Sequence, residues 1–354
     1  MRRTKRAGAA LVMATALLAT GVTAVSANLD NGSSERSASD KTQPKNADRP
    51  NDQGQIHGGS NYNFFDLDGC NREDFGVLKN FHTHRQKITG QLEQMHANGQ
   101  DRLIIGIFHG HGLDSGTLID SAGGDLPEQQ RQNLADLLAT VRSIGYAEVE
   151  VVFHVLGPND PNQWQSWNED LYQENLQLIR NLRPIVEDSG LLYRLNLGNE
   201  LTPAPNQPQT LQYTKRLWQD YVSEFGREDT VGFSIIGSRP ERIANIPAMY
   251  GDKPPYLFDF HFYGDENADE YQQFVNAHNQ MRDMGYNQGW IIGETFYNDP
   301  TSAENLRRAI NDTGREVYWL TQWPWQREAR DTGGCEHVSI SPPADFDAFL
   351  DQGF

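Results

Sequence analysis

Eight short apolar runs recur along this chain, several of them with no polar alternation, and they constrain the fold more than any other feature. They cover residues 61–65, 103–108, 148–154, 192–197, 231–236, 257–262, 290–293 and 317–322, and are rich in Val, Ile, Leu, Phe and Tyr. A run that does not alternate is covered on both faces, as a parallel strand is. Between the runs, apolar residues fall at helical spacing: Leu134, Leu137, Leu138, Val141 and Ile144; Trp164, Trp167, Leu171, Leu178, Leu182 and Ile185; Leu217, Trp218, Tyr221, Val222 and Phe225; Tyr271, Phe274, Val275, His278 and Met281. Eight strand–helix units predict a single-domain (β/α)8 TIM barrel. The rival, a doubly wound open sheet, lacks its glycine-rich phosphate loop here.

Two acids stand at the ends of such runs. Glu200 closes Leu195-Asn196-Leu197-Gly198-Asn199-Glu200 and Glu294 closes Trp290-Ile291-Ile292-Gly293-Glu294, 94 residues apart (294 − 200). That interval is three strand–helix units of about thirty residues each. In a closed barrel both carboxylates reach the same mouth. Two facing carboxyl groups are the minimum equipment for breaking a glycosidic bond. The remaining strand ends supply Asn61, Tyr62, Phe64, Phe65, His109, His111, His154, Asn199, His261, Tyr263, Gln322, Trp323 and Trp325. Rings of this kind stack on sugar faces, and amide, imidazole and phenol groups take the hydroxyls.

The first 27 residues combine Arg2, Arg3, Lys5 and Arg6 with an apolar stretch and a small-residue end at Val25-Ser26-Ala27, the pattern of a secretory signal peptide. Residues 28–59 are polar and read as a flexible leader, which leaves 60–354 for the barrel. Loss of the four basic residues takes the formal charge from −18 to −22. A surface so acidic excludes nucleic acid as a partner and is compatible with a neutral polysaccharide or oligosaccharide. The expectation is a secreted, extracellular monomer without a membrane anchor. Its two cysteines, Cys70 and Cys335, follow the first and last runs, and export favours a disulfide between them across the barrel seam.

Asn199-Glu200 at strand four, His261-Phe262-Tyr263 at strand six, Glu294 at strand seven and Trp323 at strand eight resemble the retaining glycoside hydrolases of clan A, most nearly glycoside hydrolase family 5. His154 at strand three fits as well, and Asp331-Thr332-Gly333-Gly334 is similar to a segment of some cellulase-like members. The resemblance spans residue 59 to the C-terminus. It implies Glu200 as acid/base, Glu294 as nucleophile, and Asn199 as donor to the sugar 2-hydroxyl. It further implies Tyr263 as the donor that holds the nucleophile, His261 as the group orienting the acid/base, and Trp323, or failing it Trp325, as the floor under the reacting sugar. No cofactor is implied. A raised pKa is expected for Glu200 and an ionised carboxylate for Glu294. Many relatives carry an arginine at the end of strand two, where this chain reads His109-Gly110-His111; either histidine could take that place, as a substrate-binding group.

Two other readings compete. His109 and His111 could ligate a metal in a barrel hydrolase of another type, although the further ligands such a site needs are missing from later strand ends. A carbohydrate-binding barrel without catalysis is the other. Trp164 and Trp167, at helical spacing, read as packing residues rather than a sugar platform, and His82 and His84 as solvated. The loops at 66–80 and 112–126 are expected to shape substrate choice.

Overall fold

The computed structural model describes residues 56–65, 76–327 and 344–354, all within one compact unit, Gln43–Phe354. The expected signal peptide, most of the leader, Cys70, Cys335 and residues 331–334 lie outside the described residues. Among those described, no helix is long and apolar enough to cross a membrane.

Among the described residues, ten strands form one parallel sheet: β1 (His57–Asn61), β2 (Arg102–Gly110), β3 (Ile119–Asp120), β4 (Glu148–Val155), β5 (Leu192–Asn196), β6 (Thr230–Gly232), β7 (Ile235–Ile236), β8 (Leu257–His261), β9 (Gly289–Glu294) and β10 (Val317–Gln322). Their order is β6-β5-β4-β2-β1-β10-β9-β8-β7, with the short β3 added beside β2. The two ends of this order, β6 and β7, are successive halves of one strand interrupted at Phe233-Ser234. The first half pairs with β5 and the second with β8, so the sheet closes on itself. The result is the expected (β/α)8 barrel, with helices α1 (Val77–Ala97), α2 (Glu128–Ile144), α3 (Glu169–Asp188), α4 (Pro208–Phe225), α5 (Pro240–Ile243), α6 (Ile246–Tyr250), α7 (Glu270–Asp283), α8 (Pro300–Thr313) and α9 (Asp347–Leu350) following the strands. Asn168, Asp269 and Asp299 cap α3, α7 and α8 by accepting from the backbone N–H three residues on.

Strand parity divides the buried residues into two sets. On β2, Ile105 and Ile107 face the helices with Val149, Val151 and Phe153 of β4, in the main core. Ile104 and Val152 face inward with Leu257, Ile291 and Trp319 in a smaller core inside the barrel.

Two details differ from the sequence reading. The first strand is His57–Asn61 rather than 61–65, so the barrel begins inside the stretch assigned to the leader. His-Gly-Gly-Ser-Asn carries no apolar signal because the strands crowd it: a Cβ on Gly59 would lie 1.8 Å from the Arg102 carbonyl oxygen. Of the aromatics beyond it, Tyr62 turns outward and donates to Gln91 on α1, whereas Phe64 packs against Phe108. Trp164 and Trp167 precede α3 rather than belonging to it. They pack edge to face on each other, with ring centroids 5.6 Å apart, and on Tyr213 and Tyr172, which is the packing role expected of them.

Candidate active site

A cleft of about 410 Å³ opens at the carboxyl ends of the strands, lined on one side by Phe108, His154 and Trp323 and on the other by Ile236, Ser238 and Arg239. Between these walls stand Asn199, Glu200, His261, Tyr263, Glu294 and Trp325. Of the residues expected in a site, those at strands three, four, six, seven and eight therefore converge.

One oxygen each from Glu200 and Glu294 and one nitrogen of His261 lie within 4.8 Å of one another. Tyr263 donates from its hydroxyl to Glu294 Oε2 at 2.8 Å. His261 Nδ1 lies 3.0 Å from Glu200 Oε1 and 3.4 Å from Glu294 Oε2, while its Nε2 faces Asp259 at 3.4 Å. Burial alone would strip the imidazole of its proton, but Glu294, Asp259 and Glu200 outweigh that cost and hold it well above its ordinary range. It is an imidazolium shared among three carboxyl groups.

Backbone geometry aims Glu200. Its φ of +51° is unusual for a residue with a side chain. Such a conformation costs of order 1 kcal/mol and persists where neighbours fix it. Here Glu200 N–H donates to Ser234 Oγ at 2.7 Å, and Arg242 donates to the carbonyls of Glu200 and Thr202 at 3.1 and 2.9 Å. Glu294 is set by Gly293, where a Cβ would lie 2.2 Å from Asp259 Oδ1. Asn61 ties the floor together by donating to the carbonyls of Gly293 and Gln322.

The proton distribution reverses the one expected. Burial raises Glu200, yet the His261 hydrogen bond and charge, with Arg242 and Arg239, bring it below its ordinary value. Glu294 is pushed up to about 7, by burial first, against the pull of His261 and Tyr263 and with the push of Glu200 and Asp259. The difference follows from exposure: the Glu200 side chain is 35% exposed beside two guanidinium groups, and that of Glu294 10% exposed on an acidic floor. Beneath that floor, Glu150 and Asp259 are buried side by side and share the Asn196 amide at 3.1 Å each. Glu150 Oε2 and Asp259 Oδ1 have no hydrogen-bond partner among the described residues. Burial and the Asp259 charge drive Glu150 well above the carboxylate range, so one proton between the two supplies the missing donor.

His154 stacks on Phe108, with centroids 4.2 Å apart and planes at 13°. Burial pushes it down to about 3, leaving a neutral imidazole suited to a sugar hydroxyl. Trp323 stands edge-on to Phe64 at 6.4 Å, and Trp325 lies beside Tyr263 at 6.2 Å.

His109 is a correction. It shares the outward parity of Ile105 and Ile107, packs on Phe153, bonds Ser121 Oγ at 3.1 Å, and does not line the cleft. His111 pairs with Glu174 on the surface at 2.8 Å. Neither takes the place of a strand-two arginine; the inward residue there is Phe108. Among the described residues, the group of three with metal-ligand potential is Glu200, His261 and Glu294, and neither His109 nor His111 belongs to it. Phe108, Ser238 and Arg239 in the cleft wall, and Asp259 and Glu150 beneath its floor, were not expected from the sequence. Strand parity would have revealed Phe108, Asp259 and Glu150, which fall in step with His154 and His261.

No protein-family model matches the sequence, and no curated protein matches it either. Solved structures do. An exo-β-1,4-mannosidase from Opitutaceae bacterium strain TAV5 is 14% identical, with a TM-score of 0.55 over 85% of this chain. This chain spans 60% of that mannosidase's length. A GH5_18 protein from Bifidobacterium longum is 11% identical, with a TM-score of 0.56 over 84% of this chain and 78% of its own. A broad-specificity GH5-4 endoglucanase from Clostridium longisporum is 10% identical, with a TM-score of 0.53 over 85% of this chain and 95% of its own. At these identities the likeness is one of fold: the barrel is like those of glycoside hydrolase family 5.

Proposed function

We propose that the protein is a secreted glycoside hydrolase that cleaves β-linked polysaccharide or oligosaccharide with retention of configuration. The observation that carries the reading is the separation of Glu200 and Glu294, with an oxygen of each inside 4.8 Å. Retaining enzymes hold their carboxyl groups about 5–5.5 Å apart, and inverting ones about 6.5–9.5 Å to admit a water. Glu294 attacks the anomeric carbon while Glu200 protonates the departing oxygen. Glu200, now a carboxylate, then takes a proton from the water that opens the glycosyl ester.

The first step needs the pair's proton on Glu200, whereas the free site favours Glu294. His261 Nδ1, 3.0 Å from one acid and 3.4 Å from the other, offers the path between them. A sugar lying over Glu200 removes its water and raises it. Positive charge growing at the anomeric carbon favours an ionised Glu294. Binding of substrate thus moves the proton toward the productive arrangement.

The mannosidase and the endoglucanase among the similar folds support β-linked glycans as the class to test. The check is proton NMR of the first product released from β-linked mannan and glucan oligosaccharides. A β-anomer is expected, and an α-anomer rules out retention. The non-catalytic reading predicts binding without turnover in the same samples.

A further inference from the structure

The cleft is asymmetric in a way that double displacement does not require. Phe108, His154 and Trp323 come from β2, β4 and the end of β10, the strands flanking β1 or close to it. Ser238 and Arg239 follow β7, which lies across the ring from β1. A pyranose face stacks on the aromatic wall, so the reacting sugar belongs there. The departing sugar must then pass Glu200 and meet Arg239.

Arg239 is exposed and, among the described residues, makes no ion pair. It stands close enough to Glu200 for its charge to be felt by that carboxyl. Behind it, Arg242 gives its hydrogen bonds to two backbone carbonyls rather than to a carboxylate, with Glu200 and Glu241 acting on it only through their charge. Two guanidinium groups at the leaving-group side, neither hydrogen-bonded to a carboxylate among the described residues, are unexpected in a chain of formal charge −18. Guanidinium presents a planar fork of N–H donors that matches a carboxylate better than it matches a hydroxyl.

We propose that Arg239, backed by Arg242, forms a leaving-group subsite for a sugar bearing a carboxylate, a uronosyl unit on an otherwise neutral β-glycan. The acidic surface repels a polyanion at long range. A local cationic pair therefore selects sparse uronosyl decoration rather than a polyuronide. This inference rests on the hydrolase reading and deepens it.

The test compares kcat/KM for matched β-linked oligosaccharides whose leaving-group sugar is neutral, uronosyl or sulfated, at low and high salt, in the wild type, Arg239→Gln and Arg239→Lys. The wild type is expected to favour the uronosyl substrate by about tenfold. The uronosyl-to-neutral ratio should fall toward one in Arg239→Gln and in high salt, and lie between the two in Arg239→Lys. Arg239 is exposed, and an unchanged melting temperature in each variant separates loss of contact from loss of fold. Turnover of neutral glycan with no uronosyl preference, or a preference that survives Arg239→Gln, overturns the subsite while leaving the hydrolase reading intact. A sulfated sugar favoured over the uronosyl one overturns the carboxylate assignment. If no β-glycan is turned over, the hydrolase reading falls and the subsite falls with it.

Discussion

Glu148 and Glu150 lie two residues apart on β4, point into the same barrel and are both fully buried, yet their surroundings are opposite. Arg194 donates to Glu148 at 2.8 Å, Arg102 lies 3.7 Å from it, and Arg102 also pairs with Asp101 at 3.0 Å. At that end of the barrel, cation and anion cancel. One layer up, Glu150 meets Asp259, and Glu294 and Glu200 follow above them around the single His261. The lower cluster is built for stability and the upper one for holding protons at unusual places. The same residue types serve both ends, and the ratio of cations to carboxyl groups decides which.

Glu294→Gln should have the largest effect, lowering kcat by at least about 10⁴-fold in assays on β-glycans. The same change should stabilise the protein at alkaline pH. Folded Glu294 binds its proton up to about 7 against an ordinary 4.5, so its contribution is full below 4.5 and is lost as pH rises through 7. The stabilisation of the variant over wild type should therefore grow between pH 5 and pH 8, by roughly 2–3 kcal/mol. An equal gain at both pH values would place the buried proton elsewhere.

Arg194→Met should cost about 3–5 kcal/mol of stability in denaturant titration, because it strips a buried carboxylate of its partner. Asp259→Asn, in the upper cluster, should be neutral or stabilising, since an amide supplies the donor that Glu150 lacks. If both variants destabilise alike, the two clusters do not differ in the way described.

Tyr263→Phe should lower kcat/KM by about 10–100-fold, the worth of a hydrogen bond to a charged group. The reaction needs one proton on the Glu200–Glu294 pair, which titrates as a unit. The wild-type profile of kcat/KM is thus a bell with its alkaline limb near pH 7 and its acid limb below the ordinary carboxylate range. Tyr263 holds Glu294 down, so its removal should move the alkaline limb up, whereas Asp259→Asn should move it down. Opposite shifts would contradict the charge layout.

Much of the barrel could be read from the chain because its strands are covered on both faces and announce themselves as continuous apolar runs. β1 escaped because glycine and serine, chosen by crowding against β2, carry no such signal. The two glutamates, His261 and Tyr263 were legible because strand ends in a barrel share one rim. His109 misled because one residue along a strand reverses the side chain's direction, and its neighbour Phe108 holds the inward place. Arg239 was hidden for another reason: it lies beyond the strand end, in a turn that only the closed ring sets opposite the aromatic wall. The protonation of Glu294 was not readable at all, since it depends on its burial in the closed barrel and on the balance of His261, Glu200 and Asp259 from other strands.

The central claim is that Glu294 forms the bond to sugar while Glu200 moves the proton. Mass spectrometry of the peptide map after incubation with a slow 2-deoxy-2-fluoro-β-glycoside of an accepted sugar tests this most directly. A glycosyl adduct on the peptide containing Glu294 is the predicted result. An adduct on Glu200, or none in a preparation that still turns over substrate, contradicts it.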